Sequence, residues 1–134
     1  MGLFGKKDKV PEGIRVQFYE GDLPGFVCNE GCQILLQPSA FRVTRTNPNV
    51  EVNLDRKRLC EVEVLYEDEY MAKYKGVTVN KPRRDMKVYL VIYYISKEGD
   101  KRHLDFWGTA FETIKLFDLR QEIIKCQSSS SYEI

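Results

Sequence analysis

The sequence predicts a mainly β domain of about seven antiparallel strands, in a barrel or sandwich, ended by one C-terminal α-helix. Three observations carry that expectation. Short apolar–polar alternations recur between Gly, Pro and Asn turn signals. One hairpin signal, Lys97-Glu98-Gly99-Asp100, joins two of the longest strand-like runs. A capped amphipathic stretch begins at Thr109.

In chain order, Ile14-Arg15-Val16-Gln17-Phe18 alternates with the period of a half-buried strand. Gly21 to Gly31, with Pro24 and Gly25, reads as a long irregular connection. Cys32 to Leu36 is a second strand stopped by Pro38, and Phe41 to Arg45 a third. The turn signal Asn47-Pro48-Asn49 separates it from a fourth, Val50 to Leu54. Polar Asp55 to Arg58 leads into a fifth, Cys60 to Val64, and a further strand is expected over Tyr70 to Tyr74.

Met86 to Ile95 and Arg102 to Trp107 form the predicted hairpin. A two-residue turn at Glu98-Gly99 pairs Tyr93 with Leu104 and Val91 with Phe106. One at Gly99-Asp100 pairs Ile95 with Leu104 and Tyr93 with Phe106. Either way Tyr89, Val91, Tyr93 and Ile95 form a core face with Leu104 and Phe106. The opposite face then carries Val88, Leu90, Ile92 and Tyr94 beside His103, Asp105 and Trp107. A three-residue loop would exchange the two faces.

Thr109-Ala110-Phe111-Glu112 is a capping box that opens the helix. Ala110, Ile114, Phe117 and Ile124 recur at helical spacing behind it, with Leu116, Leu119 and Ile123 widening the stripe. Lys115, Arg120, Gln121, Glu122 and Lys125 supply the wet side. Such a helix must lie on the sheet, plugging an open end of the barrel.

A chain of 134 residues, 43% hydrophobic and 31% charged, is one domain able to bury its own core. Its division is a tail over 1–13, a domain over 14–127 and a tail over 128–134, where Ser128 to Ser131 looks disordered. A net charge of +1 gives no strong field that would imply nucleic acid or an acidic membrane. The longest apolar run, Val88 to Ile95, has the length of a strand and not of a membrane span. The first residues lack a signal peptide's apolar core, and Lys6 stands where a myristoylation motif on Gly2 wants Ser or Thr. A cytoplasmic protein, at most peripheral to a membrane, is expected. Cys28 and Cys32 are a loose pair, Cys60 and Cys126 are isolated, and His103 is the single histidine, so no zinc pattern forms.

Phe41-Arg42-Val43-Thr44, Val50-Glu51-Val52-Asn53-Leu54 and Leu59-Cys60-Glu61-Val62-Glu63-Val64 succeed one another as strand, turn, strand and a V-x-V strand. Leu104-Asp105-Phe106-Trp107-Gly108 then runs into the helix. From Ile14 to Cys126 this order resembles the bacterial PH-like, GRAM-like family of the pleckstrin-homology superfold. The resemblance implies a PH-like barrel, and a fold that hosts lipid, peptide and protein binding alike. Lipid-binding members grip phosphates with a basic loop between the first two strands. Here that loop contains Glu20, Asp22 and Glu30, and no Lys or Arg lies between Arg15 and Arg42.

Two basic clusters, Arg56-Lys57-Arg58 and Lys81 with Arg83 and Arg84, could hold an anion if they met in space. Glu67, Asp68, Glu69 and Asp85 stand ready to offset them as solvated loops. His103 and Asp105 share a strand face and read as a surface pair rather than an acid–base couple. Glu61 and Glu63 mark the polar side of their strand, and no Ser or Cys carries a nucleophile signature. No catalytic residue, cofactor or metal is therefore expected. The expected partner surface is the apolar outer face of the hairpin: Val88, Leu90, Ile92, Tyr94 and Trp107. The function expected is a non-enzymatic PH-like binding or scaffolding module acting through protein contacts, its own copies included. The alternative is a peripheral domain binding anionic lipid or a phosphate ligand.

Overall fold

The computed structural model describes residues 13–46 and 49–128. The expected tails lie outside these residues except for Gly13 and Ser128, and so do the Gly2 position and Asn47-Pro48. Alternating sequence becomes seven strands: β1 (Ile14–Glu20), β2 (Glu30–Leu36), β3 (Ala40–Arg45), β4 (Val50–Asp55), β5 (Leu59–Tyr66), β6 (Val88–Ile95) and β7 (Lys101–Gly108). They form one antiparallel sheet in the order β4-β3-β2-β1-β7-β6-β5. A C-terminal helix spans Thr113–Ser128. The architecture is PH-like, with β4 and β5 as the two free edges of an unclosed sheet. Apolar side chains from all seven strands meet Leu116, Leu119 and Ile123 of that helix in one core. Phe106 sits near its middle, edge-on to Phe18 at 5.8 Å and to Phe41 at 6.2 Å.

The β6–β7 hairpin takes the loop that exchanges its faces. Ser96 N–H donates to Asp100 C=O at 2.7 Å and Gly99 N–H to Ser96 C=O at 2.9 Å, which leaves Lys97-Glu98-Gly99 as the loop. Ser96 Oγ accepts from the Glu98 and Asp100 amides at 3.2 and 3.1 Å, so its side chain shapes the extra turn residue. Gly99 closes the turn at φ +94°, a conformation that a Cβ makes costly. The resulting register pairs Leu90 with Phe106, Ile92 with Leu104 and Tyr94 with Arg102. The expected assignment is thus reversed: Val88, Leu90, Ile92 and Tyr94 face the main core.

Tyr70 to Tyr74 is not a strand. Glu67–Tyr70 forms a single helical turn, α1, which continues as a π-turn over Met71–Lys75 and stops at Gly76, φ 65°. Three acids occupy the first turn, and the Glu69 carboxylate accepts from the Tyr66 N–H at 2.9 Å. Tyr70 and Tyr74 are four residues apart, which places them on one helical face as readily as on one strand face. That face covers the outer side of β6 and β7. Tyr70, fully buried, stacks on Tyr89 with ring centroids 4.1 Å apart, and Tyr19 stands edge-on to both. Burial pushes the Glu67 carboxyl up in pKa, but the Lys87 N–H and the Lys81 ammonium, each 3.0 Å away, outweigh it and leave the group below its ordinary value.

The long helix, α2, is rotated from its expected seating. Leu116, Leu119 and Ile123 are buried, whereas Ala110, Ile114 and Phe117 are exposed. The Thr109–Glu112 capping box is present, but residues 110–112 wind as a 3-10 turn, and its fewer residues per turn shift the phase of the helix beyond it.

Leu116→Ala is expected to lower unfolding free energy by about 3 kcal/mol, and Ile114→Ala by less than about 0.5 kcal/mol, in urea titrations. A larger loss at Ile114 than at Leu116 would restore the expected seating. A second pair of variants probes the outer cluster. The Tyr89 hydroxyl is buried with no protein partner among the described residues, whereas the Tyr70 hydroxyl donates to Asp105. Tyr89→Phe should therefore raise stability by up to about 1 kcal/mol and Tyr70→Phe lower it by about 1–2 kcal/mol.

Candidate interaction surface

The expected partner patch does not exist as one surface. Val88, Leu90, Ile92 and Tyr94 are core residues, because the three-residue hairpin loop turns their face inward. Trp107 lies on the opposite, outer face, half-buried. Its indole N–H donates to Asn29 Oδ1 at 2.9 Å, and the Lys87 ammonium sits 4.5 Å above its ring.

The basic clusters do not converge. Arg58 adjoins Leu59, which pairs with Tyr94, whereas Lys81, Arg83 and Arg84 precede the start of β6, where Val88 pairs with Tyr66. The whole length of β5, roughly 20 Å, lies between them. Arg56 donates to the Gln37 carbonyl at 2.9 Å and Arg58 to the Ile95 carbonyl at 2.8 Å, while Asp55 caps the Lys57 amide. Lys81 pairs with Glu67, and Arg83 pairs with Asp68 at 3.2 Å while lying 4.1 Å over the Tyr66 ring. Arg84 is exposed. The acidic β1–β2 region is paired in turn: Glu20 with Lys75, Asp22 with Arg102 and Glu30 with Arg45.

His103 and Asp105 are not the solvated pair that their spacing suggests. Asp105 is fully buried, with Oδ1 2.6 Å from His103 Nδ1, and its other oxygen accepts from the Tyr70 hydroxyl. Burial raises the Asp105 pKa, and the Tyr70 and His103 contacts pull against that rise without cancelling it. Beside it, the Tyr74 and Tyr93 hydroxyls bond each other, and Tyr74 donates to Glu63 at 2.7 Å. Rings of Tyr74 and Tyr93 lie 5.5 and 5.2 Å from the His103 ring. Every titratable group here is committed to fastening residues 67–75 onto β6 and β7.

The exposed apolar surface lies elsewhere. Among the described residues, six large hydrophobics are exposed, and three of them form one stripe: Phe111 (89%), Ile114 (74%) and Phe117 (38%). The other three, Val27, Val77 and Ile95, are scattered singly, the ordinary condition of a protein surface. The stripe therefore is the feature that calls for an explanation. Its helix reaches the free edge of β5, where Arg120 Nε donates to the Val62 carbonyl at 3.3 Å. Ile114 and Phe117 belong to the stripe expected to be buried, since two overlapping apolar stripes run along α2 at helical spacing and only packing selects one.

Open clefts also mark the surface of the described residues. One of about 430 Å³ lies between β1, β2 and the start of the helical region, beside Arg15, Gln33, Trp107 and Glu112. A wider one of about 1120 Å³ separates the β2–β3 turn from Leu119 and Ile123. Among the described residues no cluster of three His, Cys, Asp or Glu side chains is placed to hold a metal ion, and no helix is long and apolar enough to cross a membrane.

The cysteines differ in a way that can be measured. Cys28 is exposed, while Cys32 is buried and its thiol is pushed up to about 12, first by burial and then by Glu30. Iodoacetamide at pH 7 is expected to modify Cys28 at least ~10-fold faster than Cys32 in peptide mapping. Equal rates would contradict this placement. Comparison with protein-family models and with curated proteins finds no match, so the surface is read from its own geometry.

Proposed function

We propose that this chain is a non-enzymatic PH-like binding or scaffolding module that works through protein contacts, made by the 3-10 turn at 110–112 and the first half of α2. The observation that carries this reading is the Phe111–Ile114–Phe117 stripe, which keeps aromatic and aliphatic side chains in water on a rigid helix. Rigid, exposed aromatics at a fixed spacing are the kind of anchor that protein interfaces bury. The contact expected on Val88, Leu90, Ile92, Tyr94 and Trp107 is relocated to this stripe, and self-association is one form the contact could take. The PH-like, GRAM-like resemblance is compatible with such a role, since the fold carries protein recognition as readily as lipid recognition.

Geometry does not favour the alternative of an anionic lipid or phosphate ligand. Arg56, Lys57 and Arg58 sit at one end of β5 and Lys81, Arg83 and Arg84 at the other, with Lys81 and Arg83 already ion-paired. The His103–Asp105 pair supports a structural role, because its partners are the side chains that hold residues 67–75 in place.

A photocrosslinking amino acid at position 111, in the full chain expressed in cells, is expected to trap discrete adducts. The same group at Lys57, an exposed position away from the stripe, is expected to trap none of them. Ile114→Asp should abolish the adducts at 111 while shifting the thermal midpoint by no more than about 2 °C. Identical adduct patterns at 111 and 57 would refute the reading.

A further inference from the structure

Strand β5 ends the sheet with backbone groups that no neighbouring strand satisfies. Along an antiparallel pair, successive residues direct their N–H and C=O alternately toward the partner strand and away from it. Glu67 N–H donates to Lys87 C=O at 2.9 Å, so Leu65 and Glu63 face β6 while Val62, Val64 and Tyr66 face outward. Side chains already cap two of these outward groups. Arg120 donates to the Val62 carbonyl, and Glu69 accepts from the Tyr66 N–H. Between the two caps, the N–H and C=O of Val64 have no partner among the described residues.

The helix that carries the apolar stripe reaches this edge. Leu119 and Ile123 line a cleft with Leu59, and Arg120 reaches Val62, so this part of α2 lies against the first half of β5. Phe117 and Ile114 precede Arg120 at i−3 and i−6, so the apolar row leads up to the contact at Val62. The junction thus joins a free strand edge to an exposed apolar helix row. We propose that it takes an extended segment of a partner protein, which adds to Val62–Tyr66 as an eighth strand beyond the seven present. This rests on the reading of the α2 stripe as the contact surface, and it specifies the partner's chemistry. A lipid chain or a partner helix would cover Ile114 and Phe117 but leave the Val64 N–H and C=O desolvated and unpaired. An extended backbone satisfies both. Strand side chains alternate, so every second residue of the segment meets Ile114 and Phe117 and should be apolar, while the residues between face water and should be polar.

Random twelve-residue peptides displayed on phage, panned against the immobilised full chain, provide the probe. Enriched sequences are expected to be apolar at alternate positions. The best of them, made synthetically, should shift the amide resonances of residues 62–66 and 114–117 and slow hydrogen exchange at Val64 at least ~10-fold. N-methylation of those peptide amides that face β5 should weaken binding at least ~10-fold. Ile114→Asp should do the same, with its thermal midpoint as the control for folding. Three results overturn the proposal. The first is no enrichment over a surface coated with the Ile114→Asp variant. The second is a peptide that binds at the stripe equally well when N-methylated, in which case the contact surface stands and strand addition fails. The third is a concentration-dependent dimer, broken by Ile114→Asp, that no selected peptide displaces, which makes a second copy the occupant. If Ile114→Asp leaves both peptide binding and association unchanged, the stripe itself is not the contact surface.

Discussion

Strand β6 is buried on both faces, and much of the molecule is arranged around that constraint. Val88, Tyr89, Leu90, Val91 and Ile92 are successive residues with almost no exposure. A strand presents alternate side chains to opposite sides, so such a run needs two covers. The even-numbered residues are covered by the barrel core and by Leu116 of α2. The odd-numbered ones would face water on the outside of the sheet. Residues 67–75 supply the missing layer, with Tyr70 flat on Tyr89 and Met71 and Tyr74 beside it.

That outer layer is thin, and polar contacts hold it in register. A helical turn followed by a π-turn cannot stand alone in water, because too few hydrogen bonds offset the ordering of its backbone. Its anchors are the Tyr70–Asp105 bond, the Tyr74–Tyr93–Glu63 cluster, and the Glu67 carboxylate held by the Lys87 amide and Lys81. Asp105 is buried at a cost that its two partners only partly offset, which is why its pKa rises. The charged residues that suggest chemistry in isolation are thereby bound into the attachment of this layer. Lys73, Lys75, Lys81 and Arg83 each meet a carboxylate.

With both faces of β6 covered, the apolar surface left in water moves to the margin of the sheet. Phe111, Ile114 and Phe117 stand in water on the helical segment whose Arg120 reaches the free edge of β5, where Arg120 and Glu69 shield parts of the edge and Val64 is left between them. Edges of this kind invite pairing with another chain, and charged side chains placed along them limit where it can occur. The 3-10 turn at 110–112 has a direct consequence here. By setting the phase of α2 it sends Leu116 into the core and leaves Ile114 and Phe117 in water.

The sequence by itself determined the class of the fold. Seven alternating or apolar runs, the Lys97–Asp100 hairpin and the Thr109–Glu112 cap are local signals, and each reports local backbone geometry with little help from its surroundings. Tertiary structure alone decided which way those elements face. One residue in the hairpin loop, placed by the Ser96 side chain, inverted β6 and moved Val88, Leu90, Ile92 and Tyr94 from the expected surface to the core. Tyr70 and Tyr74 are four residues apart, a spacing that suits either period, and stacking on Tyr89 selected the helix. In α2 two apolar stripes overlap, and the space above the barrel admits only Leu116, Leu119 and Ile123. Facing is a property of pairing and packing between distant segments. A pattern that repeats every two residues carries the alternation but not which half of it looks inward.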